Sequence, residues 1–232
     1  MNIVITGASK GIGFAIAETF ASYGHDLYLT SKTAKDLEVS VGVLRTKYPL
    51  VKIEAMAADL SLKGDVDAFS KWCLQNTQPQ ILVNNAGYFV PGKIQDEAEG
   101  QLEQQLNTNL MSAYHLTRAL LPSMLSNTSG HIFNICSIAS LNAYENGGSY
   151  SISKFALLGF SKNLRLELKD KGIKVTAVCP GATYTNSWAG SGIQADRIMD
   201  SNDIAKMIYA ASQLSAQAVV EDIVMRPQLG DL

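Results

Sequence analysis

The sequence predicts a doubly wound, all-parallel α/β sheet of seven strands in the order 3-2-1-4-5-6-7, folded as a single domain over residues 1–232. Two observations predict it. Short apolar runs of strand length alternate with longer stretches whose apolar residues recur at helical spacing, the signature of parallel strands joined by crossover helices. A glycine-rich turn, Thr6-Gly7-Ala8-Ser9-Lys10-Gly11-Ile12-Gly13, also joins the first strand-like run to the first helix-like stretch. That context is the one in which such a turn cradles a phosphate. Right-handed crossovers then leave few ways to order the strands.

The elements follow in order. Strands are expected at Asn2–Thr6, Asp26–Thr30, Val51–Ala57, Gln80–Asn84, Gly130–Cys136, Lys174–Cys179 and Val219–Met225, each a short apolar run. Helices are expected at Ile12–Tyr23, Ala34–Tyr48, Lys63–Thr77, Gln101–Leu125 and Tyr150–Lys171, where the period is helical. Ala182–Asp200 has no clear period and is rich in Gly, Ser and Thr. It reads as a loop with one or two short helical turns beyond the sixth strand. No repeat, low-complexity tract or long linker divides the chain.

With 47% hydrophobic and 17% charged residues, the chain can fill a sizeable core. A net charge of −2 with no basic run gives nothing for nucleic acid or an anionic membrane to bind. No apolar stretch approaches the roughly 20 residues that span a bilayer. The start MNIVITGASKGIG has no charged leader before its first strand. Cys73, Cys136 and Cys179 have no metal-binding or CxxC spacing and read as reduced core thiols of a cytoplasmic protein.

The glycine loop lets a phosphate approach the backbone at Gly7, Ser9, Lys10, Gly11, Ile12 and Gly13, and the helix that follows offers free N–H groups and the positive end of its dipole. NAD binders of this architecture carry an acid at the end of the second strand for the ribose hydroxyls. Here that place holds Leu29-Thr30-Ser31-Lys32. A 2′-phosphate would meet Ser31, Lys32 and Lys10, so the expected cofactor is NADPH (NADP+). Asp59 after the third strand suits an adenine amino group, with Leu60 adding a backbone N–H; capping the next helix is its rival role. In Asn84-Asn85-Ala86-Gly87 the amides can tie neighbouring strand ends together while Ala86 and Gly87 keep space clear.

Tyr150 and Lys154 lie four residues apart on one helical face, with Ser137 at the end of the preceding strand. A nearby ammonium favours the phenolate and is expected to lower the Tyr150 pKa toward neutral. The phenol then becomes a proton donor and acceptor, and the Ser137 hydroxyl can hold the oxygen that exchanges the proton.

Together these residues resemble the short-chain dehydrogenase/reductase family over Asn2 to about Met225. The motifs are the TGxxxGxG loop, Asp59, Asn84–Gly87, Asn109, Ser137, Tyr150-x-x-x-Lys154, and Pro180-Gly181 with Thr185. The resemblance implies a single Rossmann-like domain and hydride transfer between a nicotinamide and a carbonyl or alcohol carbon. It implies Tyr150 as the proton carrier, Lys154 as the group that tunes it and binds the nicotinamide ribose, and Ser137 as donor to the substrate oxygen. It implies that Asn109 holds a water linking Lys154 to solvent. Pro180 and Gly181 turn the chain, and Thr183 and Thr185 meet the carboxamide and diphosphate. Within the family the chain is most similar to bacterial sepiapterin reductase-like proteins, on Pro180–Trp188 and on Val220–Pro227 with Gly230-Asp231. A small-molecule carbonyl substrate would be met by Ser137, Tyr144, Tyr150 and Trp188, with Tyr88, Phe89, Leu141 and Tyr184 as further candidates. A ketoacyl thioester or another ketone remains open, as does an NADPH-binding sensor without turnover. The 101–125 and 150–171 helices carry apolar residues over wide faces, including Leu116, Leu120, Leu121, Leu157, Leu158, Phe160 and Leu164; one stripe must pack on the sheet, and the surplus is expected to meet a second copy, the resemblance implying a homodimer or homotetramer.

Overall fold

Alternation along the first strand sets the layering. In β1 (Asn2–Thr6) Ile3 and Ile5 fall in one buried cluster and Val4 in another, because successive strand residues face opposite ways. Leu27, Leu29, Ile81 and Val83 join Ile3, whereas Tyr28 and Leu82 join Val4. A sheet apolar on both faces needs helices on both.

The computed structural model describes residues 1–185 and 192–231. After β1 come β2 (Asp26–Thr30), β3 (Ile53–Ala55), β4 (Ile81–Asn84), β5 (Gly130–Ile135), β6 (Ile173–Pro180), β7 (Thr183–Tyr184), β8 (Met199–Asp200) and β9 (Asp222–Met225). Seven of them form one parallel sheet, ordered β3-β2-β1-β4-β5-β6-β9. This is the expected order, with β9 as its seventh strand. β7 and β8 pair only with each other, in the segment expected to be a loop. Its one 3-10 turn among the described residues is Ala195–Arg197.

The helices are α1 (Gly11–Ser22), α2 (Ala34–Lys47), α3 (Lys63–Asn76), α4 (Gln101–Leu106), α5 (Ser112–Ser126), α6 (Gly148–Leu168) and α7 (Ser201–Ser212). α1, α2 and α7 cover one face through Ile16, Phe20, Leu37, Leu44, Ile204 and Ile208. α3, α5 and α6 cover the other through Phe69, Leu116, Leu120 and Leu164. Among the described residues no helix is long and apolar enough to cross a membrane.

Three expectations change. β3 is only Ile53–Ala55, not Val51–Ala57, because it is an edge strand paired to β2 alone over those residues. The expected helix 101–125 is broken by a π turn, Asn107–Met111, in which Ser112 N–H donates to the Asn107 carbonyl; the wider turn brings Asn109 into the interior. α7 was not foreseen. Its signals are present: Asp200 accepts a hydrogen bond from Asn202 N–H as N-cap, and Ile204, Ile208 and Ala211 recur on the buried face. The stripe of these helices that packs in this chain's own core includes Leu116, Leu120, Leu157, Leu158 and Leu164, while Leu121 and Phe160 are partly buried. The apolar side chains that α6 turns outward are Ile152, Phe155 and Leu166.

His131 in β5 is buried, stacks on Phe133 at 3.9 Å between centroids, and meets Thr176 Oγ1 at 2.7 Å through Nε2. Thr176 Oγ1 in turn donates to the Val220 carbonyl, so it accepts from His131 Nε2–H. His131 Nδ1 has no partner. Burial pushes the imidazole pKa down to about 3. The folded state therefore binds fewer protons than the unfolded chain between pH about 6.5 and 3, and stability falls as pH falls through that window. Denaturant titrations at pH 7 and pH 5 should show the parent losing about 2 kcal/mol more than His131→Gln. Equal losses in the two proteins would contradict it.

Candidate active site

Because the seven strands run parallel, their carboxyl ends share one edge, where crossover loops leave a crevice. Thr6, Thr30, Asn84, Ile135 and Pro180 end their strands there.

At the β1 end, Thr6 Oγ1 accepts hydrogen bonds from Asn85 N–H (2.9 Å) and Ala86 N–H (2.8 Å). Asn85 Nδ2 donates to the carbonyls of Thr6 (2.9 Å) and Gly7 (3.1 Å). These bonds tie the glycine loop to the turn after β4. Gly13 packs so close that a Cβ there would collide with the Gly7 carbonyl and the Asn85 amide. α1 has no side-chain N-cap, so its first-turn N–H groups at Gly11, Ile12 and Gly13 are left for a ligand. The Thr185 methyl lies 3.1 Å from where a Gly11 Cβ would stand. The chain after β6 thus closes over the loop. Pro180 ends β6 opposite Met225, Gly181 N–H donates to the Met225 carbonyl (2.8 Å), and Thr183 Oγ1 donates to the Gly181 carbonyl (3.0 Å). This cradle fits a dinucleotide.

Beyond β2, Ser31 and Ser9 share a hydroxyl hydrogen bond of 2.8 Å, and Lys10 is exposed. Lys32 Nζ lies 2.8 Å from Asp59 Oδ2. Asp59 Oδ1 accepts from Ser61 N–H (3.1 Å) and Ser61 Oγ (2.7 Å). Lys32 and Asp59, expected in separate roles, are partners, and the Asp59 carboxylate raises the Lys32 pKa. Burial works to raise the Asp59 pKa, but the hydrogen bonds from Lys32 and Ser61 outweigh it and bring it below the usual value. Asp59 does not cap α3, whose N-cap is Leu62. Leu60 is buried under the crevice.

At the β5 end, Ser137 caps a 3-10 turn, Ile138–Ser140. Its Oγ accepts from Ala139 N–H (3.1 Å), and its own N–H donates to Ser140 Oγ (3.1 Å). One lone pair of the hydroxyl is therefore occupied and its proton is free to point at the Tyr150 phenol, its hydrogen-bond partner. Tyr150 is the third residue of α6 and Lys154 sits one turn later. Lys154 is 4% exposed, donates from Nζ to the Ile135 carbonyl at 2.7 Å, and stands 5.8 Å from the Tyr150 ring centroid. Burial lowers its pKa.

The Tyr150 pKa runs opposite to expectation. Burial raises it, and the hydrogen bond with Ser137 only partly offsets that. At this separation the Lys154 ammonium does not reverse the cost of burying a phenolate.

Asn109 is buried and engaged through its whole amide. Its Oδ1 accepts from Tyr88 N–H (2.7 Å), and its Nδ2 donates to the Tyr88 carbonyl (3.0 Å) and to Ser153 Oγ (2.8 Å). Ser153 Oγ donates to the Tyr150 carbonyl (2.8 Å). Both donors of the amide thus clamp the segment after Gly87 onto α6. Gly87 is the spacer: a Cβ there would stand 3.5 Å from Asn109 Oδ1 and 3.7 Å from Lys154 Nζ. Thr6 and Ser153 were not singled out from sequence. The clue to Thr6 is a hydroxyl residue ending a strand before glycine; the clue to Ser153 is its place three residues beyond Tyr150.

Phe89 meets the Tyr150 ring edge-on, centroids 4.7 Å apart. Tyr88, Tyr144 and Tyr184 are partly exposed, and burial pushes the Tyr144 phenol up to about 12. Trp188 lies outside the described residues. Cys73, Cys136 and Cys179 are free and buried, and no cluster of three or more His, Cys, Asp or Glu able to hold a metal occurs among the described residues.

Comparison with known proteins agrees with this geometry. The sequence model of one family, described as short chain dehydrogenase, matches residues 1–195. The chain is 35% identical to a sepiapterin reductase of Chlorobaculum tepidum, covering 99% of this chain and 97% of that one. It resembles a short-chain dehydrogenase from Sphingobium yanoikuyae solved with NADPH, at 30% identity and a TM-score of 0.85, over 95% and 87% of the two chains. It also resembles an L-sorbose reductase from Gluconobacter frateurii solved with NADPH and L-sorbose, at 27% identity and a TM-score of 0.87, over 96% and 94%.

Gly13→Ala must part the glycine loop from Asn85. It is expected to destabilise the fold by roughly 1–3 kcal/mol, seen as a lower thermal midpoint. A variant as stable as its parent would show that the loop approach is looser than described.

Proposed function

The chain belongs to the short chain dehydrogenase family of oxidoreductases, and from that premise we propose that it is an NADPH-dependent reductase of carbonyl groups, of the sepiapterin reductase-like kind. The observation that carries the reading is the trio at the end of β5: the half-buried Tyr150 phenol partnered by the buried Ser137 hydroxyl, with the buried Lys154 ammonium beneath.

The bound dinucleotide supplies the hydride. The protein does the rest. Gly7, Ser9, Gly11, Ile12 and Gly13 present the loop and helix N-terminus to the diphosphate, with Thr183 and Thr185 opposite. Ser31, Lys32 and Lys10 offer hydroxyls and cations to a 2′-phosphate. Asp59 and Leu60 flank the adenine, and Asn85, Ala86 and Gly87 shape the floor. Asn109 holds the Tyr88 segment in place. The Ser137 hydroxyl donates to the carbonyl oxygen and steadies the charge that develops there. The Tyr150 phenol gives that oxygen its proton. A phenol whose pKa is raised by burial stays protonated at neutral pH, the state that a reduction consumes. Lys154 keeps a positive charge beside the phenol as the proton leaves.

Phe89, Tyr88, Tyr144 and Tyr184 favour a flat, ring-bearing substrate, as expected of a pterin or an aromatic ketone. A carrier-bound thioester is less suited. The cation of the 192–200 stretch, Arg197, donates to the carbonyls of Gly230 and Asp231, so it is engaged within the chain. Outward-facing Ile152 and Phe155 on α6 support a homodimer or homotetramer built through that helix. Three free thiols suit a reducing cytoplasm.

Loss of NADPH absorbance across a panel of diketones, pterins and ketoacyl thioesters tests the reading. Tyr150→Phe should cut kcat by about 10² or more while fluorescence titration shows NADPH binding retained; full activity in that variant would refute the assignment. The parent should show a higher kcat/KM with NADPH than with NADH, and Lys32→Glu should reverse the order. A parent that prefers NADH would overturn the cofactor assignment.

A further inference from the structure

The helix that carries Tyr150 and Lys154 begins without a cap of its own. Its N-cap is Gly147, which has no side chain to offer. Tyr150 lies in the first turn, where backbone N–H groups lack intrahelical acceptors and fraying is easiest. The missing acceptor arrives from 52 residues earlier in the chain: Glu97 Oε1 accepts Ser149 N–H at 2.7 Å, and its other oxygen accepts the Ser149 hydroxyl. A carboxylate there also suits the helix dipole.

The surroundings are shaped for this carboxylate. Gly148 has φ +37°, and a Cβ there would collide with Glu97 and with the Gly92 carbonyl. Gly92 N–H donates to the Asn146 carbonyl at 2.9 Å, one residue before the N-cap. The same stretch of chain holds Tyr88, clamped by Asn109, and Phe89, edge-on to Tyr150. Residues 88–97 therefore grip the catalytic turn at both of its ends.

We propose that Glu97 is a positioning residue for the reaction: a cap supplied from outside the helix that fixes the first turn of α6 and so sets where the Tyr150 hydroxyl stands against Ser137 and Lys154. The inference rests on the reading of Tyr150 as proton donor. Lys154 has its own anchor on β5 through the Ile135 carbonyl. Without Glu97, that lysine stays in place while the tyrosine one turn earlier loses its alignment.

The test compares the parent with Glu97→Ala, Glu97→Gln and Tyr150→Phe, using NADPH and the best carbonyl of the panel. Glu97→Ala should lower kcat by about 10²-fold, the size expected of an ångström-scale misplacement, with the NADPH dissociation constant and substrate KM nearly unchanged. Glu97→Gln keeps an oxygen for Ser149 N–H and a polar group for its hydroxyl, and should recover most of kcat. A carboxylate serving stability alone would lower the thermal midpoint and leave kcat intact well below it; that result, or a glutamine variant as impaired as the alanine one, overturns the proposal. If Glu97→Ala fails to fold, Ser149→Ala removes one of the two bonds and should lose part of kcat with binding preserved; full kcat in it would count against the proposal. Amide hydrogen exchange at Ser149 and Tyr150 needs no turnover: faster exchange in the alanine variant supports the cap, and unchanged exchange overturns it. A parent that reduces no carbonyl overturns the assigned reaction instead, and the exchange result still decides the cap.

Discussion

An ammonium held almost out of water against one strand-end carbonyl organises this molecule's reactive edge. Lys154 Nζ donates to the Ile135 carbonyl at 2.7 Å with 4% of the residue exposed. Removing a charge from water costs several kcal/mol unless partners replace the water, so this bond fixes the pitch and rotation of α6 against β5. Two consequences follow. Tyr150, one turn earlier, is brought over the end of β5, and Ser137, two residues beyond Ile135, faces it. The surrounding polar contacts reinforce the same alignment. Asn84 Nδ2 donates to Asn134 Oδ1 (2.8 Å) and Thr117 Oγ1 (3.0 Å), and Asn134 Nδ2 donates to Ser161 Oγ (2.8 Å). This chain of buried bonds joins β4, β5, α5 and α6 beneath the reactive groups, with Asn84 Oδ1 left without a partner.

The balance at Tyr150 follows from burial. A phenol drawn partly out of water resists ionisation, while a hydroxyl partner and a cation favour it. Here burial wins over the Ser137 hydrogen bond. The cation is itself weakened by burial. The pair is thus poised toward a protonated phenol, which suits donation to an oxygen that is gaining charge.

The fold was largely legible because its signals are local. Alternating apolar runs and a glycine turn at one strand end gave the seven strands and their order. α7 escaped because Ile204, Ile208 and Ala211 follow a Gly- and Ser-rich stretch that obscures their period. The π turn at Asn107–Met111 escaped because no pattern of apolar residues distinguishes it from ordinary helix; only the bonds of Asn109 to Tyr88 and Ser153 explain it. In the site, motif residues close in sequence, such as Tyr150 with Lys154 or the glycine loop, could be placed from spacing. Contacts made by topology could not. Lys32 meets Asp59 because the ends of β2 and β3 are neighbours in the sheet. Glu97 meets Ser149 across 52 residues. The sign of the Tyr150 shift is beyond spacing for the same reason: spacing shows which groups are near, and burial, which decides the sign, belongs to the packed molecule.

The most direct measurement is the ionisation of this one phenol. Ultraviolet difference titration of the nucleotide-free protein, with the Tyr150→Phe signal subtracted, isolates it. The account predicts a phenol that ionises above the ordinary tyrosine value of about 10, and higher still when Ser137 is replaced by alanine. Ionisation near neutral pH in the nucleotide-free protein, or no response to loss of the Ser137 hydroxyl, would contradict it.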